Sequence, residues 1–174
     1  MTRKILLGVT GSIAAYKAVE LVRLLVKKGD EVQVLMTEAA TKFVTPLTFQ
    51  TLSRHPVFID QFASIAAWKP DHISLADAVD LVLVAPATAN TLAKMRQGLA
   101  DNLLTATLLA TRAPIFVAPA MNTVMWESVA TQENLSVLKT RGVQVVAPGS
   151  GDLACGTCGA GRMAEPKEIV EKIH

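Results

Sequence analysis

The chain has 174 residues, of which 51% are hydrophobic and 18% charged, a balance that suits one α/β domain with a sizeable core and excludes a disordered chain. Its net charge of +2 is too weak, and its Lys and Arg too evenly spread, for a nucleic-acid footprint. No uncharged apolar stretch approaches the roughly 18 residues of a membrane span; the longest candidate, 113–126, is broken by Pro114 and Pro119 and contains Asn122.

Strand-like and helix-like segments alternate along the chain. Arg3 and Lys4 precede a short apolar run at 5–9, which leads into Thr10-Gly11-Ser12 with no cleavage site. A cytoplasmic protein is therefore expected, with Cys155 and Cys158 as reduced thiols. Residues 13–28 have helical spacing and Gly29 is a natural stop. Strands are predicted at 31–36, 81–85, 115–118 and 143–146. Such continuous Val, Ile and Leu runs suit a parallel sheet buried on both faces. Helices are predicted at 88–96, 103–110, 131–140 and from Pro166 to the end. The alternation predicts an open, doubly wound, mostly parallel sheet of the flavodoxin or Rossmann type, spanning 1–174 as a single domain. Residues 149–161 carry five glycines and two cysteines without periodicity, and a loop of that length in a compact domain is usually functional or mobile.

Ligands of open parallel sheets bind beyond the carboxyl ends of the strands. Gly11-Ser12 there could offer backbone N–H groups and a helix dipole to a phosphate, or form only a tight turn. Thr37 could be a hydroxyl ligand or a helix cap. In Pro86-Ala87-Thr88-Ala89-Asn90-Thr91 the small residues would let a planar ligand approach the backbone, and Thr88, Asn90 and Thr91 could hydrogen-bond it. Pro119-Ala120-Met121-Asn122 follows the next strand, with Met125 and Trp126 one helical turn on. His72 could be structural or catalytic. His55 reads as a surface residue, and His174 as a disordered end. The pair Cys155/Cys158 lacks the further Cys or His ligands of a structural zinc site, so no metal is expected; thiol chemistry in a flap, or incidental cysteines, remain open.

These segments together resemble the homo-oligomeric flavin-containing cysteine decarboxylases, and within them the branch acting on 4'-phosphopantothenoylcysteine. The resemblance runs over almost the whole chain. It includes Gly8 to Lys17, Met36 to Ala40, Phe43 to Leu47, His72 to Leu75, Gly98 to Leu104, Ala154 to Gly156 and Gly161 to Met163. The paired motifs Pro86 to Thr91 and Pro119-Ala120-Met121-Asn122-Thr123-Val124-Met125-Trp126 are its most specific part.

The resemblance implies FMN held around Gly11, Ser12, Thr37, Pro86, Thr88, Ala89 and Asn90. It implies His72 as catalytic base, Asn122 as ligand of the substrate carboxylate, Met125 and Arg162 near the substrate, and Cys155 as proton donor on a flap at about 149–163. It further implies trimers with sites shared between subunits, assembled in some members into dodecamers, and a phosphopantothenate–cysteine ligase that is fused or separate. Rival readings are a peptidyl-cysteine decarboxylase acting on a C-terminal cysteine, a flavin prenyltransferase, and a non-catalytic FMN-binding regulatory subunit. The chain departs from the family pattern in having Gly-Ser at the first turn, where many relatives have Gly-Gly, and in the extra Cys158.

Overall fold

A computed structural model describes residues 2–62, 70–152 and 158–174, without the side chains of Asp152 and Cys158. The order is β1 (Lys4–Val9), α1 (Ala15–Lys28), β2 (Glu31–Met36), α2 (Pro46–Ser53), α3 (Asp71–Asp77), β3 (Leu81–Ala87), α4 (Ala89–Gln97) and α5 (Leu103–Ala110). There follow β4 (Ile115–Pro119), α6 (Thr123–Glu127), α7 (Val129–Thr140), β5 (Gln144–Val145), β6 (Gly149–Asp152), β7 (Cys158–Arg162) and α8 (Pro166–Ile173). A 3-10 turn at Ala40–Lys42 follows β2.

The main sheet has the order β2-β1-β3-β4-β5 and every pairing in it is parallel. This is the flavodoxin-like doubly wound arrangement, whose chain reverses direction across the sheet at β1 and β3. Successive side chains of a strand point to opposite faces. Ile5, Leu7 and Val9 accordingly join one cluster, with α1 and α8, while Leu6, Val82 and Val84 join the other, with α5 and α7. Because helices cover both faces, the strands read as unbroken apolar runs. Each large apolar side chain fully buried in this way contributes roughly 1.5–3 kcal/mol.

The segments expected at 31–36 and 103–110 form with those bounds. Gly29 ends α1 at φ +98, its N–H donating to the Leu25 and Val26 carbonyls. Elsewhere the ends shift. Residues 13 and 14 belong to the turn before α1, and β3 continues through Pro86 to Ala87. The helix after β3 starts at Ala89 because Thr88 caps it.

Three short helices went unexpected. In α2 only Phe49 and Ser53 are buried and in α3 only Leu75 and Ala76, while α6 buries none of its residues. None of them therefore carries a repeating apolar stripe. Within the glycine-rich segment, β6 and β7 pair antiparallel. Backbone pairing needs no apolar alternation, so periodicity could not find it. His174 is not a free end: its Nε2 lies 2.9 Å from Oδ2 of the buried Asp30, brought there by the packing of α8 on α1. No helix of the described residues is long and apolar enough to cross a membrane.

Candidate functional site

The carboxyl ends of β1, β2 and β3 open into a cleft of about 640 Å³, within the size range of small-molecule sites. Four of the expected cofactor residues, Gly11, Thr37, Thr88 and Asn90, line it. The floor is tied together by Thr10, which is almost fully buried. Its hydroxyl donates to the Pro86 carbonyl at 2.6 Å and accepts from the Thr88 N–H at 3.1 Å. The ends of β1 and β3 are thus held at a constant separation.

Two helix starts converge on this cleft. At α4, Thr88 Oγ1 accepts from the Thr91 N–H at 3.3 Å, and the remaining first-turn N–H groups have no intrahelical acceptor. At α1 no side chain caps the helix. In the preceding turn the Ser12 N–H donates to the Thr10 carbonyl and the Ala14 N–H to Ser12 Oγ. Those bonds leave out the N–H groups of Gly11 and Ile13. Gly11 also packs tightly: a Cβ there would lie 2.6 Å from the Ala39 Cβ. Uncapped N–H groups and positive dipole ends are the donor set an anionic phosphate requires, and Thr88 and Asn90 line the cleft beside them. The residues present fit FMN.

Thr37 lies at the cleft and at the turn that follows β2. Its hydroxyl accepts from the Ala40 N–H at 3.3 Å while the residue lines the cleft. The other expected cofactor residues are adjacent without lining it. Ser12 closes the turn, Pro86 presents its carbonyl to Thr10, and Ala89 opens α4.

Sequence reasoning missed Thr10, Lys94, Asp101 and Asn102, which also line the cleft. The signal for Asn102 was present, since an Asn before an apolar helical run is a start signal. Asn102 indeed caps α5, Oδ1 accepting from the Thr105 N–H at 3.0 Å. Nothing local told that this helix start faces β1 and β3. Lys94 Nζ meets Asp101 Oδ2 at 2.6 Å, and this hydrogen bond, more than the ammonium's charge, holds the Asp101 carboxyl below its ordinary 3.8 against a smaller opposing effect of desolvation. A carboxyl lowered on folding stabilises above its ordinary value, and that contribution is lost as pH falls through the lowered one. The stability difference between the protein and its Asp101→Asn variant is therefore expected to be constant near neutrality and to close below 3.8, as followed by urea denaturation at stepped pH.

Among the described residues, His72, Asn122, Met125 and Arg162 do not line this cleft. His72 is half-buried in the first turn of α3, a helix packed on α5. Asn122 caps α6, Oδ1 accepting from the Val124 N–H at 2.8 Å, and Met125 is exposed on the same helix. Arg162 ends β7 and meets Glu165 at 3.4 Å. Cys155 lies outside the described residues, and Cys158 opens β7. The hairpin and Asn122 are neighbours. The Met121 N–H donates to the Gly161 carbonyl at 2.9 Å, and neither Gly159 nor Gly161 has room for a Cβ against Thr123 and Met121.

Comparison with known proteins gives this geometry a context. A probable phosphopantothenoylcysteine decarboxylase of Streptococcus mutans is 49% identical over 176 residues, covering 100% of this chain and 98% of that protein. The coenzyme A biosynthesis bifunctional protein CoaBC of Vibrio vulnificus is 49% identical over 168 residues; the match covers 97% of this chain but 42% of that relative's length. Among solved structures, a Cys-to-Ser variant of a PPC decarboxylase complexed with pantothenoylaminoethenethiol superposes with a TM-score of 0.89 at 34% identity, covering 99% of this chain and 97% of that one. The FMN-binding protein AtHal3 gives 0.85 at 34%, with 99% and 95% covered. The model of the Flavoprotein family matches residues 1–174, and the chain belongs to that family.

Proposed function

We propose that the chain is an FMN-dependent decarboxylase of 4'-phosphopantothenoylcysteine, releasing CO2 and 4'-phosphopantetheine for coenzyme A biosynthesis. The observation that carries this reading is the end-to-end match with the Streptococcus mutans protein at 49% identity. Gly11, Ser12, Thr37, Pro86, Thr88, Ala89 and Asn90 would hold FMN, the N–H groups of Gly11 and Ile13 suiting its phosphate. Residues 1–174 belong to a single FMN-binding decarboxylase domain, and a phosphopantothenate–cysteine ligase is its fused or separate partner.

An amide-linked cysteine does not lose CO2 readily, because the carbanion left at Cα has no electron sink. A thioaldehyde at the neighbouring carbon provides one, and loss of CO2 then leaves an enethiolate. The two electrons removed at the start return at the end, so the net reaction is redox-neutral. When bound, FMN supplies reversible two-electron acceptance, which no ordinary side chain offers. His72 takes a proton from the substrate, the work to which imidazole is suited near neutrality. Asn122 holds the substrate carboxylate by donation, without a fixed charge that would oppose CO2 loss. Arg162 and Met125 contact the substrate, and Cys155 returns a proton to carbon.

His72 does not line the cleft of its own chain, which supports a homo-oligomer, a trimer or an assembly of trimers, in which it serves a neighbouring site. The exposed Val124, Met125 and Val129 suit such an interface. The enzyme works in the cytoplasm.

Mass spectrometry after anaerobic incubation of the FMN-loaded protein with 4'-phosphopantothenoylcysteine tests the reading. A saturated product lighter by CO2, with flavin oxidised at the end, is expected. A product lighter by CO2 and two hydrogens would point to peptide-type oxidative decarboxylation, and no product at all to an FMN-binding regulatory protein. In the same assay Cys155→Ser is expected to release CO2 and accumulate the unsaturated enethiol. If Cys158→Ser does so instead, the proton donor is Cys158.

A further inference from the structure

Among the described residues, the charged side chains that line the cleft are Glu38, Asp60, Lys94 and Asp101. All but Lys94 are carboxylates, in a cleft fitted to an anionic cofactor. A lysine in the last turn of a helix is ordinary, because it complements the helix dipole. Lys94 stands in that turn of α4, but its side chain is only 21% exposed and borders the cleft. It follows Asn90 by four residues, so the two share one face of the helix, and both line the cleft.

The bond to Asp101 fixes where the ammonium sits. Nζ meets Oδ2 at 2.6 Å. Asp101 is itself held, its Oδ1 accepting from Asn102 Nδ2 at 3.2 Å and from Thr105 Oγ1 at 3.4 Å. An ammonium has three donors, and Asp101 takes one of them. Stability is a poor reason for the pair, since the Asp101 side chain is exposed and exposed ion pairs contribute little.

Position within the cleft separates Lys94 from the phosphate end. The turn at Gly11 leads into α1, whose Ala15 and Leu21 pack with Ile5 and Leu7 on one face of the sheet. Leu92 of α4 and Leu103 of α5 pack on the opposite face, with Leu6 and Val82. Lys94 therefore stands across the sheet edge from the N–H groups suited to phosphate, on the side of Asn90. Reduction alters the ring of a flavin and not its phosphate. With two electrons and one proton taken up, the ring gains one negative charge.

We propose that Lys94 tunes the redox balance of bound FMN: its ammonium, held by Asp101, favours the reduced, anionic ring over the oxidised, neutral one. Asp101 opposes it in part, since a carboxylate beside the ammonium cancels some of its field. The pair thereby sets how readily the flavin takes electrons and how readily it returns them. The tuning rests on FMN in the cleft. Only its consequence for turnover rests on the decarboxylase reading.

The test measures the reduction potential of FMN bound to the full chain, by dithionite titration against a reference dye and without substrate. Lys94→Met is expected to weaken reduced FMN relative to oxidised FMN at least about tenfold, a fall of about 30 mV for a two-electron couple. Lys94→Arg, which keeps the charge, stays within about threefold of the parent. Asp101→Asn moves the potential upward, because the ammonium is then uncompensated. A bridge that only ties α4 to α5 gives another pattern. Both Lys94→Met and Asp101→Asn then weaken the two redox states alike, as fluorescence titration of oxidised FMN reads, and the potential stays at the parent's value. That result overturns the proposal. Should Lys94→Met lose FMN altogether, Asp101→Asn decides: an upward shift supports the proposal, and an unchanged or lowered potential overturns it. No turnover enters the measurement, so a parent that fails to decarboxylate removes the decarboxylase reading and leaves the role of Lys94 in place.

Discussion

The His72→Asn variant is expected to lose flavin bleaching and CO2 release together, by at least about a hundredfold, while FMN stays bound. The two halves of this expectation have separate causes. FMN retention follows from position: His72 is on α3, whereas the cleft is built from the ends of β1, β2 and β3 and the starts of α4 and α5. Loss of chemistry follows from the residue type, since an amide cannot take a proton near neutrality. The fold tolerates the change, because Asn and His have similar helix propensities and the side chain is only half-buried. Flavin absorbance under anaerobic substrate, together with trapped CO2, checks it. A variant that bleaches and releases CO2 at near-parent rates would remove His72 from the mechanism.

The second large effect is expected at Gly11. A Cβ there would lie 2.6 Å from the Ala39 Cβ and 3.2 Å from the Ala39 carbonyl carbon. The second of these atoms is backbone, so the turn itself must move. In Gly11→Val the N–H groups of the turn are expected to leave the positions in which they would hold the FMN phosphate. Hydrogen bonds to a charged group contribute roughly 1.5–3 kcal/mol each, so losing two weakens FMN at least about a hundredfold. Gly142→Ala is the control. Gly142 also has restricted space in conformation, at φ +89, but nothing lies within 4 Å of its added Cβ, so it strains the backbone without approaching the cleft. Purified Gly11→Val should be colourless and bind added FMN weakly in a fluorescence titration, while Gly142→Ala remains yellow. A fully loaded Gly11→Val would place the phosphate elsewhere.

Much of the fold was legible because a parallel sheet covered on both faces leaves a simple record. The runs at 31–36 and 103–110 are apolar enough to reveal their bounds, and Gly29 marks its helix end by a left-handed φ that other residues adopt reluctantly. Part of the cleft's lining was legible for a related reason. Gly11, Thr37, Thr88 and Asn90 each follow a strand, and in this class of sheet the strand ends share one edge. The hairpin was not legible, because its pairing is made by backbone among glycines. Nor were the short helices, which bury two residues or none.

By itself, the sequence determined the layering of the protein, since the alternation of apolar runs with amphipathic helices admits few other arrangements, and it named residue types able to hold a flavin and move a proton. Tertiary structure alone decided which of them meet. Thr10 joins β1 to β3 through residues 76 and 78 positions away. Lys94 and Asp101 come to the rim beside Gly11. The buried Lys17 reaches Glu165 across 148 residues. Such contacts depend on which strand lies next to which, and the strand order 2-1-3-4-5 is set by packing among elements remote in the chain, which leaves no periodicity in any one of them.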